Sequence, residues 1–424
     1  MEKTYYPQWN ETLYRQKLSS GLTVLVVPRT GFSKKLAYFV TDYGAIHTAF
    51  SVDGKAVHTP AGVAHFLEHK MFDLPGRDVS EEFAALGAYP NAFTGYDMTA
   101  YYFSCTDRFE DCLRLLLEFV STGYFTEESV EKEQGIIGQE IGMSRDNPDH
   151  RIFELLMEQM YPNHPIRTPI LGSRESIAAI TAQTLTDCHR AFYRPDNMLL
   201  CVVGDVDPNQ VAAIAEEMIP PAPAEVVTRV DAWEETMEPH CALVEENMEV
   251  AMPMFQLGFK CEDAGSGPEA IRQEAIGDLA SEALFGESSP LYMRLYEEGI
   301  IDGSFGGGFE TVDGMALLTA SGDSDDPQAV KDAILSQARR LVSEGLSETD
   351  FLRMKRSALG RRLRDLDSFD STCFRLCAYH FSGYDYFRFP EIYESVTRED
   401  ILAFLDRVVT EKRCCMAVIR RYNQ

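Results

Sequence analysis

The chain has 424 residues and 39 basic against 67 acidic side chains, a formal net charge of −28. Such a surface repels phosphate backbones and excludes nucleic acid as a natural partner. A hydrophobic content of 45% with 25% charged residues excludes disordered and fibrous classes. The length exceeds one ordinary core, and two domains of roughly 200 residues each are expected.

No run of 18 apolar residues is present, so no membrane span is expected. The first residues lack the apolar region of a signal peptide, and the expectation is a soluble, cytoplasmic protein with reduced thiols. No C-x-x-C pair occurs among the cysteines; Cys105, Cys112, Cys188, Cys201 and Cys241 sit in apolar surroundings and read as buried.

In chain order, residues 13–28 read as a hairpin turning at Ser20-Gly21, and 35–44 as a further strand. A helix follows over 62–72. Ser80 is expected to cap a short helix to Leu86, ended by Gly87. Residues 91–94 and 99–104 read as paired strands around Gly95-Tyr96-Asp97. Asp107 opens an amphipathic helix to Thr122. Thr126, with Glu127 and Glu128 in the first turn, opens a longer one to at least Met143, which Asn147-Pro148 interrupts. A helix over 175–192, a strand over 198–204 and a helix after Asp207 complete the first half.

Pro220, Pro221 and Pro223 make the next stretch the linker. The expected division is a first domain at 1–218, a linker at 219–238 and a second domain at 239–424. In the second, 244–260 and 315–321 read as strands; helices open at Asp326-Pro327 and at Ser347. Residues 115–127 resemble 337–348 to within about one residue of register, so the halves repeat one plan. Strands and helices are grouped rather than alternating. This predicts α+β architecture, with two homologous domains that are each a mostly antiparallel sheet packed by helices.

The helix over 62–72 contains His65-Phe66-Leu67-Glu68-His69. Four residues apart, the two imidazoles stack on one helix face, and Glu68 shares it. This H-x-x-E-H order mirrors H-E-x-x-H, in which two histidines bind zinc and the glutamate acts as general base. The chain has 9 histidines, and a chance match is expected on the order of 0.02 times in this composition. Catalytic zinc takes three protein ligands and leaves one position open. The third should come from another element. The helix after Thr126 offers Glu131, Glu133 and Glu140, and spacing alone does not choose among them. Matching Phe125 to Leu346 sets Met354 opposite Glu133 and Arg361 opposite Glu140. The second half also lacks H-x-x-E-H, so the metal site is expected in the first half alone.

With these residues in view, the sequence resembles the pitrilysin/insulinase/mitochondrial-processing-peptidase family of inverted zinc peptidases. The resemblance rests on 65–69, on Asn91-Ala92-Phe93-Thr94 with Tyr101-Tyr102, on Glu133 and Glu140, and on 193–198 leading into 202–205. It extends over essentially the whole chain and is greatest toward the compact bacterial subunits of the processing-peptidase type. It implies a zinc-dependent endopeptidase. Its metal ligands would be His65, His69 and Glu140, with Glu68 as the catalytic base and Glu133 as a supporting catalytic acid. Asn91, Ala92, Phe93 and Thr94 would take up a peptide substrate by edge pairing.

The family's second half usually carries an Arg and, seven residues on, a Tyr that hold substrate. Matching on Gly299 puts Leu295 and Asp302 there instead, with Arg294 and Tyr296 out of register. A second family subunit, in a homo- or heterodimer, is therefore expected as partner. The alternative is a non-catalytic peptide-binding or assembly subunit that retains the metal site.

Overall fold

The computed structural model describes residues 1–230 and 233–422. The first half runs β1 (Glu2–Tyr6), β2 (Glu11–Lys17), β3 (Thr23–Pro28), β4 (Lys35–Thr41), a small hairpin β5 (Ala49–Val52) and β6 (Lys55–His58), then α1 (Val63–Met71). A short ladder, β7 (Asp73–Leu74) and β8 (Arg77–Asp78), leads to α2 (Val79–Ala85), β9 (Tyr89–Thr94) and β10 (Thr99–Cys105). There follow α3 (Phe109–Ser121), α4 (Glu127–Arg145), α5 (Pro148–Met160), α6 (Arg174–Ala178), α7 (Ala182–Phe192), β11 (Met198–Gly204), α8 (Pro208–Met218) and β12 (Val227–Arg229).

The second half runs β13 (Leu243–Met248), β14 (Met254–Cys261), α9 (Pro268–Phe285), α10 (Pro290–Glu297), β15 (Gly306–Val312) and β16 (Met315–Asp323). Then come α11 (Pro327–Glu344), α12 (Glu348–Asp365), α13 (Phe369–Phe381), α14 (Phe389–Ser395), α15 (Arg398–Val408) and β17 (Cys414–Arg421).

The expected α+β architecture is what the strands form. The first large sheet has the order β1-β2-β3-β11-β4-β10-β9 and the second β13-β17-β14-β16-β15. In each, one pair is parallel (β3 with β11, β13 with β17) and the other pairs are antiparallel. The order β3-β11-β4-β10-β9 therefore recurs as β13-β17-β14-β16-β15, the three-dimensional form of the repeat.

The compact units do not follow the chain's midpoint. One comprises Met1–Ile141, Pro169–Val230 and Leu363–Phe381; the other comprises Gly142–Thr168, Asp231–Arg362 and Ser382–Gln424. The division expected at 218 and 239 separates the chain by sequence. Packing separates it differently, because α13 lies on β11 and β4 while α5 lies on β17 and β14. Each half thus lends its fifth-ranking helix to the sheet of the other half.

Several local expectations are corrected. Asp78, not Ser80, caps α2: its carboxylate accepts from the Ser80 and Glu81 amides. Arg108 in the left-handed region, not Asp107, precedes α3. Residues 175–192 hold two helices, because Thr181 caps a new one through a reciprocal bond with Thr184. Residues 244–260 are two strands, β13 and β14. Cys241 is only half-buried. The hairpin β5–β6 carried no clear alternation and was not anticipated.

Buried histidines give the first unit an acid-sensitive core. Burial, reinforced by nearby Arg229, lowers the His47 pKa to about 3. Its Nδ1 accepts from the Gly44 amide at 2.9 Å. Burial also depresses His189, and His380 to about 4. Unfolded histidines bind protons near pH 6.5 while these do not, so the unfolded state holds more protons below that value. Stability therefore falls as pH drops from about 6.5 toward 4.5, before the bulk of the carboxylates protonate. His47→Asn keeps an acceptor for Gly44 and should flatten this slope by about one proton, as read by urea denaturation across the window.

Candidate metal centre

α1 begins where a turn must bend tightly. Gly62 precedes it at φ 93°, and a Cβ there would sit 2.6 Å from the Leu171 carbonyl oxygen. Only glycine meets both conditions. Val63, Ala64, Phe66, Leu67 and Met71 are buried and fix the helix's roll about its axis. That roll sends His65 and His69 to one side, their ring centroids 4.6 Å apart.

Facing them is α4. Thr126 opens it, its hydroxyl accepting from the Ser129 amide while the Ser129 hydroxyl accepts from the Thr126 amide. Val130, Ile137 and Ile141 anchor it, and Glu133 and Glu140 project from the adjacent face. Glu131, the third acid that the sequence offered, is exposed.

His65 Nε2 lies 3.6 Å from Glu140 Oε1, and His69 Nε2 lies 3.5 Å from Glu140 Oε2. One donor atom from each of these residues falls within 4.8 Å of the others. Ligands about 2.1 Å from a tetrahedral centre stand about 3.4 Å apart, so these separations suit an ion such as Zn²⁺ with little rearrangement. Among the described residues, the buried His65 Nδ1 has no hydrogen-bond partner.

His69 is oriented from behind. Its Nδ1 donates to Glu133 Oε1 at 2.9 Å, which leaves Nε2 as the free nitrogen toward Glu140. Burial opposes charge on this ring, but the bond to Glu133 and the surrounding carboxylates outweigh it, and the pKa is raised. The Glu140 pKa is lowered, chiefly by its interaction with the His65 imidazole. Lys70, almost wholly buried, pairs with Asp73 and stands 4.0 Å from Glu133 Oε2. Its charge offsets that of Glu133 inside the protein. Sequence reading passed over Lys70; a lysine next to the last histidine on a largely apolar helix was the available signal.

Glu68 lies one residue before His69 and is half-buried. Its Oε2 accepts from the Thr94 hydroxyl at 2.5 Å. Thr94 ends β9, the outer strand of the first sheet, which pairs on one side with β10 through Asn91 to Tyr102, Ala92 to Tyr101, Phe93 to Ala100 and Thr94 to Thr99. Asn91 Oδ1 accepts from the Ala92 amide. The structure thus brings His65, His69 and Glu140 together, sets Glu133 behind His69, and runs 91–94 beside α1 with Glu68 between. In the second half, Leu295 is buried on α10, and Asp302 accepts from the Ser304 amide and hydroxyl; Arg294 and Tyr296 are exposed.

Comparison with known proteins gives two family matches: "Insulinase (Peptidase family M16)" over residues 55–174 and "Peptidase M16 inactive domain" over 179–358. An uncharacterized zinc protease of Bacillus subtilis, YmfH, is 38% identical over 414 residues, 96% of each chain. The crystal structure of an M16-like peptidase from Alicyclobacillus acidocaldarius matches with a TM-score of 0.94 at 31% identity, over 99% of each chain. Pitrilysin shares the fold at 17% identity, with a TM-score of 0.77 over 98% of this chain and 46% of its own.

Gly62→Ala should cost about 1–3 kcal/mol from backbone strain, plus the clash with Leu171. Gly31→Ala is the control: its φ is 85°, but a Cβ there meets nothing within 4 Å. Thermal denaturation should show the larger loss at Gly62, and equal losses would remove the close approach as the reason for glycine there.

Proposed function

The chain belongs to the insulinase family of peptidases, M16, and from that premise we propose that it is a zinc-dependent endopeptidase that cleaves extended peptides. The observation that carries this reading is the convergence of His65, His69 and Glu140 donor atoms beside Glu68 and an open sheet edge.

His65, His69 and Glu140 would hold the ion. Zinc, when bound there, supplies a Lewis acid that brings the pKa of coordinated water down to about 7 and polarises a peptide carbonyl. Glu68 accepts the proton that the attacking water loses and passes it to the leaving amine. Thr94 holds the Glu68 carboxylate toward β9, so the base sits next to the strand that carries substrate. Glu133 fixes the tautomer and direction of His69. Residues 91–94 offer main-chain groups to an incoming peptide, which adds as a further strand. Such pairing recognises extended or unfolded segments and is largely indifferent to their sequence.

The family's Arg and Tyr positions in the second half hold Leu295, which is buried, and Asp302, an exposed carboxylate, so neither supplies the contact an Arg or Tyr would. This supports a two-chain enzyme in which the present chain bears the metal and a second family subunit supplies the missing contacts. Co-expression with a family neighbour should give co-elution on size exclusion and higher activity than the chain alone; full activity from the isolated chain would overturn the two-chain reading.

Three substitutions test the site itself. Glu68→Gln should retain zinc and lose about 10²–10⁴-fold in kcat on a quenched peptide. Glu140→Gln should lose zinc, and Glu133→Gln should weaken zinc affinity or activity by about 10–100-fold. The measurements are zinc stoichiometry and turnover, each with and without the partner. Zinc retained at full occupancy in Glu140→Gln would remove it as a ligand. Zinc without turnover in the native protein under every condition would instead favour a peptide-binding subunit.

A further inference from the structure

The sheet edge has two faces, and the metal centre uses only one. Side chains alternate along β9. Ala92 and Thr94 point to the α1 side, where Thr94 meets Glu68. Phe93 belongs to the other face, with Tyr38 of β4 and Tyr102 of β10, which pair with each other across the strands. Tyr38 and Tyr102 stack with ring centroids 4.5 Å apart, and the Phe93 ring lies 6.4 Å from each.

α13 covers this face. It arrives from some 280 residues further along the chain, and its Phe374 ring stands 5.9 Å from that of Phe93. Phe374 is 39% exposed, although Cys373 and Cys377 on the same helix are fully buried. Phe93 and Tyr102 are half-exposed. The result is an aromatic step that begins on the edge strand and continues outward onto a helix, with its outer rim in water.

We propose that Phe93, Tyr102 and Phe374 form a specificity subsite that takes a large apolar or aromatic side chain of the substrate. The proposal rests on the reading of β9 as the substrate-pairing edge and adds a side-chain preference to it. A peptide added as the next strand carries its side chains alternately toward α1 and toward α13. The residue set opposite Phe93 is a direct cross-strand neighbour, and aromatic and β-branched pairs at such positions are favourable. Phe374 then flanks that side chain from the helix side, so the contact is three-ringed rather than a single edge pair. Asp370, one turn before Phe374, is paired with Lys34 at 2.8 Å, so the charge nearest the aromatic step already has a partner.

The consequence is a two-residue rhythm. Positions facing α1 lie near the metal and Glu68; one position of opposite parity should carry the apolar preference. A set of quenched peptides, varied one position at a time among Phe, Leu, Ala and Lys, reads it on zinc-loaded full chain, alone and with a co-expressed family subunit. One position should favour Phe and Leu over Ala and Lys by about tenfold in kcat/KM. Phe374→Ala should reduce that ratio to within about twofold at this position only, and Phe374→Leu should restore most of it.

A second arm needs no turnover. Labelled peptides with Phe or Ala at each position are titrated onto zinc-loaded Glu68→Gln protein and followed by fluorescence anisotropy. A Phe preference that Phe374→Ala removes supports the subsite even if the native chain cleaves nothing, in which case hydrolysis alone fails. Cleavage without any Phe374-dependent preference in either arm overturns the subsite and leaves the peptidase reading in place. Absence of Phe-dependent binding together with absence of cleavage overturns both.

Discussion

The one constraint on which this chain depends is the face-to-face setting of α1 and α4. Two imidazoles from one helix and a carboxylate from the other must meet at spacings of about 3.5 Å, and neither helix can do this alone. Everything nearby restricts that meeting. Gly62 lets α1 start hard against the Leu171 carbonyl, buried apolar residues fix its roll, and Glu133 pins His69. Lys70 makes the arrangement tolerable electrostatically. Without its buried ammonium, Glu133 would be a largely buried carboxylate with only an imidazole beside it.

The second half sets a different charge pattern across the same scaffold. Its strand order repeats that of the first sheet, and α9 and α12 stand where the repeat places α1 and α4. Across that pair, Glu274 and Asp278, four apart on α9, grip the buried guanidinium of Arg362 on α12. Tyr393 adds a hydroxyl to Asp278 at 2.8 Å. The polarity is the inverse of the first half, in which carboxylates come from α4 and imidazoles from α1. A fixed side-chain cation occupies the interhelical seam, so this half needs no ion to satisfy its acids. Breaking such a buried pair from one side costs far more than the pair contributes in net stability, so the seam is held to its present charges.

Much of the site was legible because its chemistry is local. H-x-x-E-H compresses two ligands and a base into five residues, and helical periodicity alone places them on one face. Glu133 and Glu140 were visible as candidates seven apart, but which of them faces both histidines depends on the packing of α4, which periodicity does not give. The repeat pointed to Arg361 opposite Glu140; the buried place belongs to Arg362, one residue on, since Arg361 turns outward to Glu282. Helix exchange was illegible altogether. Nothing within residues 369–381 states that they pack on β11 and β4 rather than on the sheet of their own half, because both sheets offer similarly apolar faces. Lys70 was lost for another reason: a lysine is read as solvated until burial says otherwise.

That exchange has a functional side. An open sheet edge is a hazard, since it can pair with any exposed strand, and proteins normally blunt it. β9 is short, carries Pro90, and has its Ala92 amide already engaged by the Asn91 side chain. These features disfavour permanent pairing with another copy while leaving a peptide room to compete for the edge. Main-chain pairing alone selects extension and not sequence. Discrimination must then come from side chains reached on either face of the edge. On the α1 face stand Glu68 and the His65, His69 and Glu140 cluster, which the proposed function reserves for the metal and the base. The opposite face is the one free to vary, and it is built there from an element the distant part of the chain contributes. Under the proposed function, separating the two tasks would let the residues that choose a substrate change without disturbing those that would hold the ion.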